Sequence, residues 1–149
     1  MIAIVIVHVY TKWMSAYVDI HSHEHEGFKI LVKYLTWLTA VLNIGKTTRP
    51  ESFDYVEKHK ETDEVFVLLK GKAYLIIGGD NEKPAFFDVF PLDLHKTYNV
   101  KRNVWHAVLM SEDASIYIVE NIDTAKENGD YHYLSTEEKD TILSRVSLG

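Results

Sequence analysis

Two short apolar runs meet at a single glycine in the middle of the chain. The first spans Glu64 to Lys70 and the second spans Lys72 to Ile77, with Gly71 between them, and Gly78-Gly79-Asp80-Asn81 follows. Short runs rich in Val, Ile, Leu and aromatic residues, bounded by turn residues, are typical of β-strands. The pattern therefore predicts a β-hairpin at the centre of a sheet protein.

The same pattern recurs along most of the chain. Further strands are predicted within residues 36–44, 52–59, 85–90, 97–101, 104–110 and 115–121. This close spacing is expected of a β-sandwich or barrel. One helix is predicted near the end, because Ser135 and Glu138 form a capping-box pattern and Ile142, Leu143 and Val146 repeat at helical spacing. The predicted fold class is all-β, with one short C-terminal helix that packs outside the barrel.

Length and composition fit one compact domain. With 149 residues, 46% of them hydrophobic, the chain can bury a substantial core but is short for two domains. We expect residues 1–149 to form a single domain with a barrel core of about 36–122. Residues 1–27 would form an N-terminal strand or extension, and residues 123–149 a polar linker and the helix.

Composition also excludes several classes of function. The chain has no cysteine, which excludes disulfides, thiolate metal ligands and cysteine nucleophiles. Its formal charge of -6, without clustered Lys and Arg, predicts no nucleic-acid partner. The apolar opening from Met1 to Val9 is too short to cross a bilayer, so we expect a cytoplasmic protein with no membrane partner.

Two histidines and a glutamate stand near the entries of predicted strands. His59 and Glu64 flank the start of the first apolar run, and His106 lies in the segment 104–110. Imidazole and carboxylate together suit divalent Fe, Mn, Ni or Zn. If the three side chains converge inside a barrel, they form a metal site with open positions for water or substrate.

The stretch from Glu57 to Gly71 resembles the first sequence motif of the cupins, in which two histidines separated by one residue precede a glutamate and then a glycine. His59, Glu64 and Gly71 occupy the second-histidine, glutamate and glycine positions with matching spacing. Val100-Lys-Arg-Asn-Val-Trp-His106 is similar to the second motif, with His106 at its ligand position.

The resemblance implies a small single-domain cupin of the RmlC-like jelly-roll superfamily. Its fold would be a double-stranded β-helix, the cupin jelly-roll barrel, with a divalent metal ion held by His59, Glu64 and His106. Glu57 stands where the first cupin histidine belongs and would add a harder, anionic ligand. Glu61 competes for that position, but Glu57 is favoured because it shares a face of an extended strand with His59.

The second motif departs from the usual pattern at two positions. Lys101 and Asn103 stand where Pro and Gly are common in cupins. Asn103 is a tolerable replacement for glycine, because Asn visits positive φ more readily than most residues.

Strand alternation identifies candidates for a substrate pocket. Phe53, Tyr55 and Phe66 share a face with His59 or Glu64. An aromatic lumen suits a small organic ligand. Trp105 has the opposite parity to His106 and is expected on the outer side.

Two function hypotheses follow. The first is a cupin-type small-molecule-binding protein with a divalent metal in the barrel, acting as an isomerase, lyase or dioxygenase. The alternative is a non-catalytic, metal-free cupin with a ligand-binding or structural role.

Two further features carry expectations. Val65, Val67 and Leu69 would give the first apolar run a hydrophobic outer face, which predicts a homodimer that covers it. Three alternate histidines, His21, His23 and His25, would lie on one side of an extended chain and chelate Ni, Cu or Zn, or else form a polar loop.

Overall fold

The computed structural model describes residues 17–122, 124 and 129–148. Residues 1–16 of the predicted N-terminal strand or extension, and residues 123 and 125–128 of the predicted linker, lie outside these residues. Within the described part of the chain, no helix is long and apolar enough to cross a membrane.

Ten strands and one helix form the described structure. The strands are β1 (Gly27–Tyr34), β2 (Trp37–Asn43), β3 (Tyr55–His59), β4 (Glu64–Lys70), β5 (Ala73–Ile77), β6 (Asp88–Pro91), β7 (Thr97–Val100), β8 (His106–Met110), β9 (Ser115–Asn121) and β10 (Gly129–Tyr133), and the helix is α1 (Thr136–Leu143).

The strands form two five-stranded sheets. The first sheet has the order β1-β2-β9-β4-β7, and the second has the order β10-β3-β8-β5-β6. Neighbouring strands are antiparallel in both sheets. The main core includes Leu68 and Ile116 of the first sheet and Leu75 and Met110 of the second, all buried. Two facing antiparallel sheets around one core confirm the predicted all-β jelly-roll architecture.

A second apolar cluster lies on the outer face of the second sheet. Ile142 of α1 is fully buried there and belongs to one cluster with Val56, Ile76 and Leu109. The helix begins at a capping box, in which the Ser135 side chain accepts from the Glu138 backbone N–H and the Glu138 side chain accepts from that of Ser135. The predicted helix and its position outside the barrel are confirmed.

Gly71 forms the turn between β4 and β5, as the sequence predicts. Its φ is +73°, and a Cβ at this position would lie 2.5 Å from the Ala114 Cα. Both the conformation and the space therefore require glycine.

Two edge strands were absent from the sequence prediction. In β1, Lys29 and Lys33 interrupt the apolar pattern, and the register shifts between Ile30 and Val32. β10 is short and partly polar. Edge strands tolerate such sequences because one side of the strand remains unpaired, so the period-two signal weakens there.

Candidate functional site

A cavity of about 260 Å³ opens between the two sheets. Its carboxylate and imidazole side chains come from four strands: Glu57 and His59 on β3, Glu64 on β4, His106 on β8 and Glu120 on β9. The four strands belong to both sheets, so the cavity brings together residues that are distant in sequence.

Successive side chains of β3 point to opposite faces of the sheet, as the sequence predicted. Tyr55, Glu57 and His59 line the cavity. Val56 points the other way into the outer cluster. Lys58 lies over the Trp105 ring on that side, with its Nζ 4.5 Å from the ring centroid.

Both imidazoles contact the same oxygen of Glu64. His106 Nε2 lies 2.9 Å from Glu64 Oε2, and His59 Nε2 lies 3.2 Å from it. All three side chains are buried. Adjacent donors on an octahedral ion, each about 2.1 Å from the metal, are separated by about 3.0 Å, so these spacings also suit two edges of a coordination shell.

A second contact of His106 shows which of its ring nitrogens carries a hydrogen. Its Nδ1 lies 2.9 Å from the Val104 carbonyl oxygen, which can only accept, so Nδ1 carries a hydrogen. A neutral His106 would then face the Glu64 carboxylate with a lone pair. The Nε2 to Oε2 contact therefore requires either a proton between the two atoms or a metal ion bound by both.

The three groups shift one another's pKa values. Burial would raise the pKa of Glu64, but the hydrogen bonds and charges of His106 and His59 lower it to about 2. Burial would lower the pKa of each imidazole, but Glu64 outweighs this effect and raises both above their ordinary value. Without metal, the cluster is thus an ionised carboxylate that stabilises protons on two histidines.

Glu57 stands beside this cluster and has partners of its own. It is the cross-strand partner of His106. Burial raises its pKa, whereas the charge of His106 and a hydrogen bond with Tyr131 act against that rise. Burial and the Glu57 charge raise the pKa of Tyr131 to about 12, so its hydroxyl remains protonated and donates to Glu57.

Glu120 is the acidic cavity residue that the sequence prediction missed. Burial, followed by the charge of Glu64, raises its pKa to about 7. Alternation along β9 contained the signal, because Ile116, Ile118 and Glu120 share a face and both isoleucines are buried in the core.

The donor set fits a divalent metal ion. Among the described residues, two groups of three have ligand atoms within 4.8 Å of one another: Glu57, His59, His106 and His59, Glu64, Glu120. His59, Glu64 and His106 are divided between these two groups, which share His59. Imidazole with carboxylate is the chemistry of Fe, Mn, Ni and Zn sites. Glu61, the competing candidate from the sequence, is exposed in the loop between β3 and β4 and lies outside both groups.

Two of the three aromatic residues predicted for the pocket line the cavity, and the third lies elsewhere. Tyr55 and Phe66 line the cavity. Phe53 does not; it is buried in the outer cluster with Trp105, whose expected outer position the structure shows. Strand alternation could not place Phe53, because β3 begins only at Tyr55.

The N-terminal histidines form no comparable group. His21 and His25 are exposed, and His23 Nε2 lies 3.1 Å from the Gly27 carbonyl oxygen. None of the three belongs to a described group of donors that could hold a metal ion. Their arrangement agrees with the polar-segment interpretation.

Comparison with known proteins gives a family and a fold. The profile of a family described as ureidoglycolate lyase matches residues 19–141. No curated protein matches the chain. A Streptomyces PAC13 variant solved with uridine shares 8% identity over 77% of this chain and 85% of its own, with a TM-score of 0.53.

A second solved structure also has low sequence identity. It is a cupin-2 domain containing protein from Shewanella frigidimarina, with 17% identity, a TM-score of 0.48, and coverage of 67% of this chain and 84% of its own. At these identities the likeness to solved structures concerns the fold alone.

Proposed function

The chain belongs to the ureidoglycolate lyase family and is a small cupin, and we propose that it is a metal-dependent lyase that cleaves a small hydroxy acid bearing a ureido group. In such a substrate one carbon carries the carboxylate, the hydroxyl and the ureido nitrogen. The lyase reaction breaks the carbon–nitrogen bond and releases urea and a 2-oxo acid.

One observation carries the proposal. His59 Nε2 and His106 Nε2 both meet Glu64 Oε2, at 3.2 and 2.9 Å, in the cavity between the sheets. We propose that these three residues hold a divalent ion, with Fe, Mn, Ni and Zn as candidates. Bound there, the ion would polarise an oxygen of the substrate.

The charge of the cavity supports the need for a cation. Its described lining includes three carboxylates, Glu57, Glu64 and Glu120, no Lys or Arg, and two imidazoles, which are neutral when they bind a metal ion. An anionic substrate would be repelled by these groups unless a positive centre offset them. A divalent ion supplies that charge in the position where the carboxylates converge.

Glu57 is suited to move the proton of the reaction. Cleavage transfers one proton from the substrate hydroxyl to the departing nitrogen, so a single carboxyl can accept it and then return it. Glu57 is half-buried in the cavity lining, and Tyr131 holds it through a hydrogen bond. The sequence resemblance implies instead that Glu57 is a metal ligand. The two roles predict different properties for a Glu57 variant: loss of metal if Glu57 is a ligand, and loss of activity with metal retained if it moves the proton.

Substrate size agrees with the cavity. About 260 Å³ is below the ~300–1,000 Å³ of common drug-sized pockets and suits a small acid. Tyr55 and Phe66 would pack against its planar ureido group.

The test is release of urea from ureidoglycolate by protein purified without chelator. Wild type should release urea, chelation should stop the reaction, and re-added metal should restore it. Glu57→Gln should lose at least about a hundredfold in kcat while it retains metal, because proton transfer contributes on that order. The exposed Glu51→Gln variant is the matched control.

The second candidate is the non-catalytic, metal-free cupin. The hydrogen bonds of His59 and His106 to Glu64 favour it, because two protonated imidazoles already satisfy the buried carboxylate. No urea release, together with no bound metal, would support this candidate and contradict the lyase.

We also propose a cytoplasmic homodimer that buries the outer face of β4. Val65 and Val67 are half-buried there, and Leu69 is 42% exposed. Light scattering at micromolar concentration should give twice the chain mass; the mass of a single chain would contradict the dimer.

A further inference from the structure

Glu120 lies directly opposite Glu64 inside the barrel. Strands β4 and β9 are antiparallel neighbours, with Val65 paired to Val119 and Phe66 paired to Ile118. The next position of that register sets Glu64 against Glu120. Both side chains face the cavity.

Two like charges at directly opposed positions destabilise a sheet. The cost is larger where the groups are removed from water, and Glu64 is buried while Glu120 is half-buried. Thr124 also lines the cavity, but its hydroxyl donates to the Asn121 carbonyl oxygen at 2.8 Å, so it does not offset the negative charge of Glu120. The described cavity lining provides no Lys or Arg to offset it.

Glu57 is in a different position. Its cross-strand partner is His106, a group that becomes positive, and the hydroxyl of Tyr131 donates to it. Glu57 therefore has an imidazole and a hydroxyl as near partners, whereas the favourable charge near Glu120 is that of His59, which the charge of Glu64 opposes.

Each carboxylate is within reach of His59 and of one other member of the proposed ligand set. Glu120 has a ligand atom within 4.8 Å of those of His59 and Glu64, as Glu57 has with His59 and His106. Distance therefore does not decide which of the two carboxylates is the better candidate for a metal ligand. The charges around each carboxylate do distinguish them.

We infer that Glu120 is the fourth protein ligand of the metal ion, in place of the residue at the usual motif position. This inference rests on the proposed function, because it assumes the ion held by His59, Glu64 and His106. It assigns the fourth donor to β9 of the first sheet, so that each sheet supplies two ligands. Glu57 is left free to move a proton.

The test is calorimetric titration of chelator-treated protein with Mn²⁺. Three proteins are compared: wild type, Glu120→Gln, and Glu57→Gln as the matched variant of the other carboxylate. We expect Glu120→Gln to weaken Mn²⁺ binding at least about tenfold, since even groups that only support a ligand cost that much. Glu57→Gln should stay within about threefold of wild type.

Thermal unfolding of the same three metal-free proteins checks that both variants are folded. Glu120→Gln should unfold at the same temperature as wild type or higher, because it removes a repulsion from Glu64.

The outcomes separate the two proposals. If wild type binds Mn²⁺ and Glu120→Gln binds equally well, or if Glu57→Gln is the variant that loses affinity, the assignment of Glu120 is overturned and the metal site stands. If wild type binds no Mn²⁺, and Zn²⁺, Ni²⁺ and Fe²⁺ also fail, the metal-dependent function falls, and the ligand assignment with it.

Discussion

Glu57 and His106 face each other across strands β3 and β8. This single pair joins the two sequence motifs, because His59 lies two positions beyond Glu57 on the same face of β3. The two imidazoles are thereby brought to one side of the second sheet, with ring centroids 5.4 Å apart. Glu64 meets them from the opposite sheet.

Asp63 should make the protein sensitive to acid. It accepts hydrogen bonds from Lys101 Nζ at 2.9 Å, Asn99 Nδ2 at 3.0 Å and the Arg102 backbone N–H at 2.9 Å. These bonds lower its pKa to about 2. A pKa depressed in the folded state adds stability above the ordinary value of 3.8, and this stability is lost as pH falls toward 2.

The measurement for Asp63 is urea unfolding at pH 7 and pH 3. Asp63→Asn should be less stable than wild type at pH 7, by no more than about 1 kcal/mol because the carboxylate is partly exposed. The difference should shrink at pH 3. Asp80→Asn, in an exposed turn, should follow wild type at both values; an unchanged gap at pH 3 would contradict the account.

Asn103 should tolerate glycine and reject a β-branched residue. Its φ is +64°, and its backbone N–H donates to the His59 carbonyl oxygen at 2.7 Å. Glycine adopts this conformation freely, whereas valine pays about 1–2 kcal/mol. Thermal unfolding should place Asn103→Gly near wild type and Asn103→Val clearly below it. Equal stability of the two variants would show that this backbone conformation is unnecessary.

Glu64→Gln should lower the pKa of both buried histidines in metal-free protein. Glu64 raises the pKa of His59 and His106 against the effect of burial. With the carboxylate neutralised, burial remains and both values should fall below the ordinary 6.5. Histidine ring signals followed by NMR titration measure this directly, with exposed His25 as an internal reference. Unchanged titration would mean that Glu64 is not their main partner.

Ile142 should anchor the helix without affecting the cavity. It is fully buried in the outer cluster, on the face of the second sheet away from His106. Ile142→Ala should cost about 2–5 kcal/mol of unfolding free energy. Metal affinity measured well below the unfolding temperature should be unchanged; a large loss would show that the outer cluster supports the site.

Local alternation predicted much of the cavity. In β3 and β4 it correctly placed Tyr55, His59, Glu64 and Phe66 on the cavity side, because each lies inside a regular strand. The positive φ at Asn103, where the second motif departs from glycine, agrees with the tolerance of Asn for this conformation.

The remaining features depend on pairing between distant strands. Phe53 lies outside β3, so parity did not apply to it. Glu120 is a single acid at the end of an apolar strand, and only the register of β9 against β4 sets it opposite Glu64. Tyr131 reaches Glu57 from β10, an edge strand too polar to be predicted.

Metal analysis is the most direct test of the proposal that His59, Glu64 and His106 hold a divalent ion. Protein is purified without chelator or histidine tag, and Fe, Mn, Ni and Zn are quantified for wild type, His106→Ala and the milder His106→Gln, with His25→Gln as the control. We expect about one equivalent of metal in wild type and the control, and almost none in either His106 variant while circular dichroism remains native. Absence of metal from wild type, or full occupancy in a folded His106 variant, would contradict the proposal.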